Sequence, residues 1–243
     1  MSTPLSYVAL AGVAVVVAAC GGSRAGDDVT RVAPFASADG ATLLQQQIVG
    51  VVRAVSPSVV QIRTPQDLGS GVVFDASGDV VTNAHVVANA RRFVVTLASG
   101  DSLPATAIGR DAANDLAVIR IAGARPRPAT FADSSQVEVG DIVLALGNPL
   151  GLRSSVTEGI VSAVGRSVPE GDGVTLSSAI QTSAAINPGN SGGALVDLSG
   201  RVIGIPTLAA LDPQMGAGQA PGIGFAIDSN TVSRVAGALA QSR

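Results

Sequence analysis

Residues 71–82 read Gly71-Val72-Val73-Phe74-Asp75-Ala76-Ser77-Gly78-Asp79-Val80-Val81-Thr82, and the texture of this stretch recurs along most of the chain. Two apolar, Val-rich runs flank five residues of turn chemistry, which predicts a β-hairpin. Immediately downstream, residues 93–97 and 103–108 flank Ala98-Ser99-Gly100-Asp101 as a second hairpin, and 116–121 reads as a buried strand. Arg125-Pro126-Arg127-Pro128 breaks the series and divides it into halves. Beyond it, strands are predicted at 142–146, 156–164, 174–181, 193–196, 202–205 and 223–227. Upstream, Leu44, Ile48, Val51 and Val52 share one helical face, so a short helix opens the domain. A second helix follows Asp228 or Ser229, with Val232, Val235, Ala236 and Leu239 on one face. This layout predicts an all-β domain of two small antiparallel barrels with flanking helices.

Composition supports the same class. Hydrophobic residues make up 47% of the 243 but aromatics only 2%, so the core must be built from Val, Ile, Leu and Ala. Twenty-nine Gly and thirteen Pro punctuate the apolar runs too often for a helical bundle. The net charge of −3 comes from well-mixed charges without a basic cluster, which argues against nucleic acid as a partner. The single cysteine, Cys20, excludes an intrachain disulfide. The single histidine, His85, excludes any zinc site that needs two, and no metal or other cofactor is expected.

Residues 5–19 form an apolar run that ends in Val17-Ala18-Ala19-Cys20-Gly21-Gly22. The run is too short to span a bilayer, which takes about 20 apolar residues. It reads instead as an export signal with small residues before a cut site, the alternative being an uncut signal anchor in which Cys20 is incidental. The pattern resembles a bacterial lipobox, although no Lys or Arg precedes the run. That resemblance implies cleavage before Cys20 and a lipid on Cys20 that anchors the chain to the outer face of a membrane. The expected organisation is therefore a signal peptide at 1–20, a flexible tether at 21–42 and a folded domain at 43–243. Within the domain, the first barrel is placed at about 55–125, the second at about 136–228 and the closing helix at 229–241.

Chemistry concentrates in Asn187-Pro188-Gly189-Asn190-Ser191-Gly192-Gly193. A serine enclosed by glycines can occupy a tight turn where backbone N–H groups converge, as an oxyanion requires. Taken alone, this stretch reads more readily as an ordinary turn. It also matches Gly-x-Ser-x-Gly, but the α/β-hydrolase order of serine, acid, histidine is impossible here because His85 precedes Ser191. His85 ends a predicted strand in Val80-Val81-Thr82-Asn83-Ala84-His85, and Asp115 precedes one in Asn114-Asp115-Leu116-Ala117-Val118. Either residue alone reads as structural, a buried histidine or a turn aspartate.

Together, the order His85, Asp115, Ser191 is that of the chymotrypsin clan. The flanking sequences resemble that clan's HtrA/Deg branch. The likeness extends through Leu68-Gly69-Ser70-Gly71, residues 140–151, residues 156–163, Ile180-Gln181-Thr182 and residues 222–227, covering roughly 44–240. It implies a chymotrypsin-like pair of six-stranded barrels and a trypsin-like serine endopeptidase. Ser191 would be the nucleophile, His85 the general base and acid, and Asp115 the group that orients the imidazole. Gly189, Asn190 and Ser191 would form the oxyanion hole.

By the same resemblance Ala185 lies at the base of the substrate pocket, with Ile205, Pro206, Thr207, Gly224, Phe225 and Ala226 as its walls. Without charge there, cleavage is expected after Val, Ala or Leu in unfolded or flexible exported proteins. Polypeptides are the expected partners, and a homo-oligomer, commonly a trimer among HtrA relatives, is left open. Such relatives often continue into a PDZ domain; this sequence closes at Arg243, and a PDZ-less protein is expected. Residues 166–173 are expected to form a loop, and Ser183 stands where relatives often carry Asp. A protease-like chaperone or peptide-binding module with a latent site is the alternative from another class, and a structural envelope lipoprotein is a third reading.

Overall fold

The computed structural model describes residues 38–65, 67–87, 90–148, 155–171, 174–187, 189–212 and 218–242. The apolar run, Cys20 and most of the predicted tether lie outside the described residues, as does Pro188. Helix α1 spans Ala38–Val55 and so begins upstream of Leu44, where the apolar periodicity starts. Its first turns are exposed, and Val51 and Val55 near its C-terminal end are buried.

The first barrel comprises β1 (Val59–Arg63), β2 (Leu68–Val73), β3 (Asp79–Asn83), β4 (Arg92–Thr96), β5 (Ser102–Asp111) and β6 (Leu116–Ile121). It closes in the order β1-β2-β3-β6-β5-β4, with β1 paired to β4 through Gln61 and Thr96. A one-turn helix, α2 (Ala84–Val87), follows β3 directly. The second barrel comprises β7 (Ile142–Gly147), β8 (Ser155–Gly171), β9 (Val174–Thr182), β10 (Ala194–Asp197), β11 (Val202–Asp212) and β12 (Gly218–Asp228). It closes in the order β10-β11-β12-β9-β8-β7, and all its pairings are antiparallel. The two six-stranded antiparallel barrels agree with the fold expected from the sequence.

Alternation along each strand explains why these segments read as unbroken apolar runs. Successive side chains point to opposite faces. Val60, Val80, Ala117 and Ile119 fill the first barrel, while Val59, Val81, Leu116 and Val118 face a cluster shared with the second. Val143, Ala145, Leu195 and Ile203 fill the second barrel in turn, and Leu144, Leu146, Val196 and Ile205 enter the shared cluster. Both faces of these strands are therefore dry, and no polar residue is needed at alternate positions.

Helix α3 (Ser229–Gln241) follows β12 and adds Val232, Val235 and Ala236 to the shared cluster. Asp228 caps it by accepting from the Thr231 N–H at 3.0 Å, an arrangement worth about 1 kcal/mol. The connection between barrels is strapped down: the Ala129 N–H donates to the Val73 carbonyl at 2.9 Å, and Ala132 to that of Val202 at 2.9 Å.

Residues 166–171 correct the expected loop, because they continue β8. Arg166 pairs with Ala179, Val168 with Leu176 and Gly171 with Val174. The register shifts four times along this ribbon, which blurs the two-residue period and hides the strand in the sequence.

Candidate active site

Asp115 sits at the C-terminal end of a 3-10 turn, Ala112–Asn114, that Asp111 caps by accepting from the Asn114 N–H. Its φ of 46° and ψ of 42° are left-handed, and among the described residues it is the one non-glycine with positive φ. Backbone strain of this kind costs about 1–3 kcal/mol and persists where surrounding contacts enforce it. Here they do. The Asp115 carbonyl accepts from the Ala84 N–H at 3.0 Å and from Asn83 Nδ2 at 3.2 Å, tying the end of β3 to the start of β6.

The buried Asp115 carboxylate accepts three further hydrogen bonds. Oδ1 takes the backbone N–H of His85 at 3.0 Å. Oδ2 takes His85 Nδ1 at 2.9 Å and Thr207 Oγ1 at 2.8 Å. Burial alone pushes this carboxyl up, but the His85 ring hydrogen bond and charge, the His85 N–H and the Thr207 hydroxyl outweigh it and hold the group below its usual range. The His85 side chain is 50% exposed beside a carboxylate that is 7% exposed, so one edge of the imidazole is fixed by protein and the ring reaches solvent.

Thr207, on β11, also reaches the Ser191 turn: the Ser191 hydroxyl donates to its carbonyl at 3.2 Å. One residue of the second barrel therefore touches both Asp115 and Ser191. The turn itself is held through its peptide groups. The Asn190 N–H donates to Asn187, Gly192 to Pro206 and Gly193 to Asn190. The Asn190 side chain donates to the Ala185 carbonyl at 2.9 Å and accepts from the Asn187 N–H at 3.0 Å. Among the described residues, no partner takes up the N–H of Gly189 or of Ser191.

Two glycines meet steric demands here. A Cβ on Gly192 would lie 2.3 Å from the Ser70 carbonyl oxygen and 2.4 Å from Thr82 Oγ1, and its φ is +77°. Gly189 has φ 113°, a conformation that side chains rarely adopt.

Residues 69–205 match the trypsin-like peptidase domain family. This chain belongs to the trypsin-like peptidases. Among curated relatives it is 49% identical over 170 residues to the periplasmic serine endoprotease DegP of Escherichia coli K12, covering 69% of this chain and 35% of DegP. It is 46% identical over 177 residues to a probable periplasmic serine protease do/HhoA-like protein of Haemophilus influenzae, covering 71% of this chain and 36% of that protein. The chain thus spans about a third of the length of those two peptidases. Among solved structures, the HtrA-type protease AlgW with a tripeptide superposes with a TM-score of 0.72 at 39% identity, covering 79% of this chain and 63% of that one.

Within the peptidase fold, the residues expected to line a pocket part company. Ala185 is exposed, and its carbonyl is taken by Thr157 Oγ1 and Asn190 Nδ2. Gly224 is buried against Ile186, and Ala226 faces the second barrel's interior. Ile205 is fully buried in the cluster shared by both barrels, which makes it a core residue, and Phe225 joins it at 9% exposure. Pro206 is buried, and its carbonyl anchors Gly192. Thr207, expected as a wall residue, is buried with its hydroxyl on Asp115, a hydrogen bond with no signal in the local sequence. Ser70 contacts the Ser191 turn and Asn148 contacts Ser70, and neither contact has a signal in the local sequence. Among the described residues, no group of three His, Cys, Asp or Glu side chains could hold a metal ion.

Proposed function

We propose that this chain is a serine endopeptidase of the HtrA type, acting through His85, Asp115 and Ser191. The observation that carries this reading is the fixed imidazole: Nδ1 of His85 donates to buried Asp115 at 2.9 Å, and Thr207 joins that carboxylate to the Ser191 turn. With Nδ1 committed as donor, Nε2 is the basic nitrogen. Turning the Ser191 hydroxyl from the Thr207 carbonyl toward Nε2 prepares the attack. Ser191 Oγ then adds to the scissile carbonyl carbon while His85 takes its proton, and Asp115 stabilises the imidazolium. The tetrahedral oxyanion is received by the N–H groups of Gly189 and Ser191, the two donors of the turn that no described residue occupies. His85 returns the proton to the leaving amine, and water repeats the sequence to release the acyl group.

The substrates are unfolded or flexible segments of exported proteins, cut after Val, Ala or Leu. Support comes from the absence of charge at the exposed Ala185. Export through residues 1–20, a lipid on Cys20 and a tether up to the domain place the enzyme at the outer face of a cell membrane. Assembly as a homo-oligomer is compatible with this arrangement.

The test is digestion of a reduced, unfolded protein by the exported form, with products sequenced by mass spectrometry. New ends after Val, Ala or Leu, absent with Ser191→Ala, are expected. Preferred cleavage after Arg would overturn the pocket assignment. Apolar peptides bound equally by both forms, with no cleavage by either, would favour a binding module instead.

A further inference from the structure

Ser70 lies on β2 in the first barrel, yet three of its groups address the nucleophile turn of the second or its support. Its hydroxyl donates to the Gly189 carbonyl and accepts from the Asn148 N–H at 2.8 Å. Its own N–H donates to the Ser191 carbonyl at 3.0 Å. Its carbonyl accepts from Thr82 Oγ1 at 2.7 Å, and that same carbonyl forms the seat against which Gly192 packs. The residue is fully buried, so none of these bonds competes with water.

The consequences fall on the two open N–H groups. Gly189, at φ 113° and without a Cβ, can rotate its peptides more freely than any other residue type could there. The peptide between Gly189 and Asn190 lies between the two donors. Ser70 holds its carbonyl end, while the Asn190 N–H holds its other end on Asn187. The next peptide but one, from Ser191 to Gly192, is likewise gripped twice, by Ser70 at the carbonyl and by Pro206 at the N–H. With both of these planes pinned, the Ser191 N–H between them keeps its aim, and the Gly189 N–H, one Cα before the first plane, is held relative to it.

We infer that Ser70 is a positioning residue for the oxyanion hole, a hydroxyl clamp from the first barrel that holds the Gly189 peptide plane in place. It touches neither substrate nor the reacting atoms. The inference rests on the endopeptidase reading of Ser191.

The experiment compares wild type, Ser70→Ala and Ser70→Cys by kcat and KM on one peptide, and by affinity for a peptide boronate and for the matching boron-free peptide. A boronate adds to an active serine and places an oxygen in the oxyanion position, whereas the plain peptide reports binding alone. Ser70→Ala should lower kcat by about 10–10²-fold, somewhat less than losing an oxyanion donor outright. KM and plain-peptide affinity should stay within about twofold, and boronate affinity should fall in proportion to kcat. Ser70→Cys, with the shape kept and a weak donor, should lie between. The clamp is overturned if kcat and boronate affinity are unchanged in Ser70→Ala. It is equally overturned if plain-peptide binding is lost in step with them in both variants, because that pattern reports a general collapse. A wild type that takes no boronate contradicts the endopeptidase reading itself, and the clamp with it.

Discussion

Thr207 occupies the junction of the site, its hydroxyl on Asp115 and its carbonyl under Ser191. Replacing it by Val keeps the shape and the carbonyl but removes the hydroxyl. The loss in kcat/KM should be about tenfold, roughly the 1.4 kcal/mol of one hydrogen bond to a charged group. Asp115→Asn should cost far more, about 10⁴-fold, because the amide can hold the ring in the wrong tautomer. Asp115 also has a pH signature. Its folded pKa is depressed, so its stabilisation is present in full above the ordinary carboxylate pKa of about 3.9 and is lost as pH falls through the lower folded value. Thermal unfolding across that acid range should show a limb in wild type that flattens in Asp115→Asn. An unchanged limb would assign the acid sensitivity to other carboxylates.

At the scale of elements, the hairpin of β2 and β3 carries more than its turn. Asp79 is fully buried at the start of β3 and receives Arg120 Nε at 2.5 Å and a second guanidinium nitrogen at 2.6 Å from β6. The sequence shows both charges but not their pairing across 41 residues. Arg120→Met leaves the carboxylate buried without its partner and should destabilise the domain by about 3–5 kcal/mol. Denaturant midpoints measure this directly, and a change under 1 kcal/mol would show that water reaches Asp79. The hairpins and the strand at 116–121 were readable because each strand is short, Val-rich and bounded by turn chemistry. The ribbon of β8 and β9 was not, since its bulges break the alternation that a reader of sequence relies on. The start of α1 was hidden for a simpler reason: its first turns are exposed and need no apolar face.

Across the whole molecule, two barrels supply different parts of one site. His85 and Asp115 come from the first, Ser191 and Thr207 from the second, and Ser70 crosses between them. The three residues of the proposed triad could be singled out because their order and flanking motifs are linear features of the chain. The supports could not, because Thr207 lies 92 residues from Asp115 and Ser70 lies 119 from Gly189. Nothing local distinguishes a buried serine that clamps a distant peptide from one that merely fills a strand. Ile205 illustrates the converse, since its place near Thr207 in sequence says nothing of the face on which its side chain falls.

The central claim is that Ser191 is an activated nucleophile in an assembled site. Intact mass of residues 21–243 after exposure to a fluorophosphonate, beside a Ser191→Ala control, tests it most directly. A single adduct on wild type and none on the variant is the predicted result. No adduct on either protein, or equal labelling of both, would contradict it.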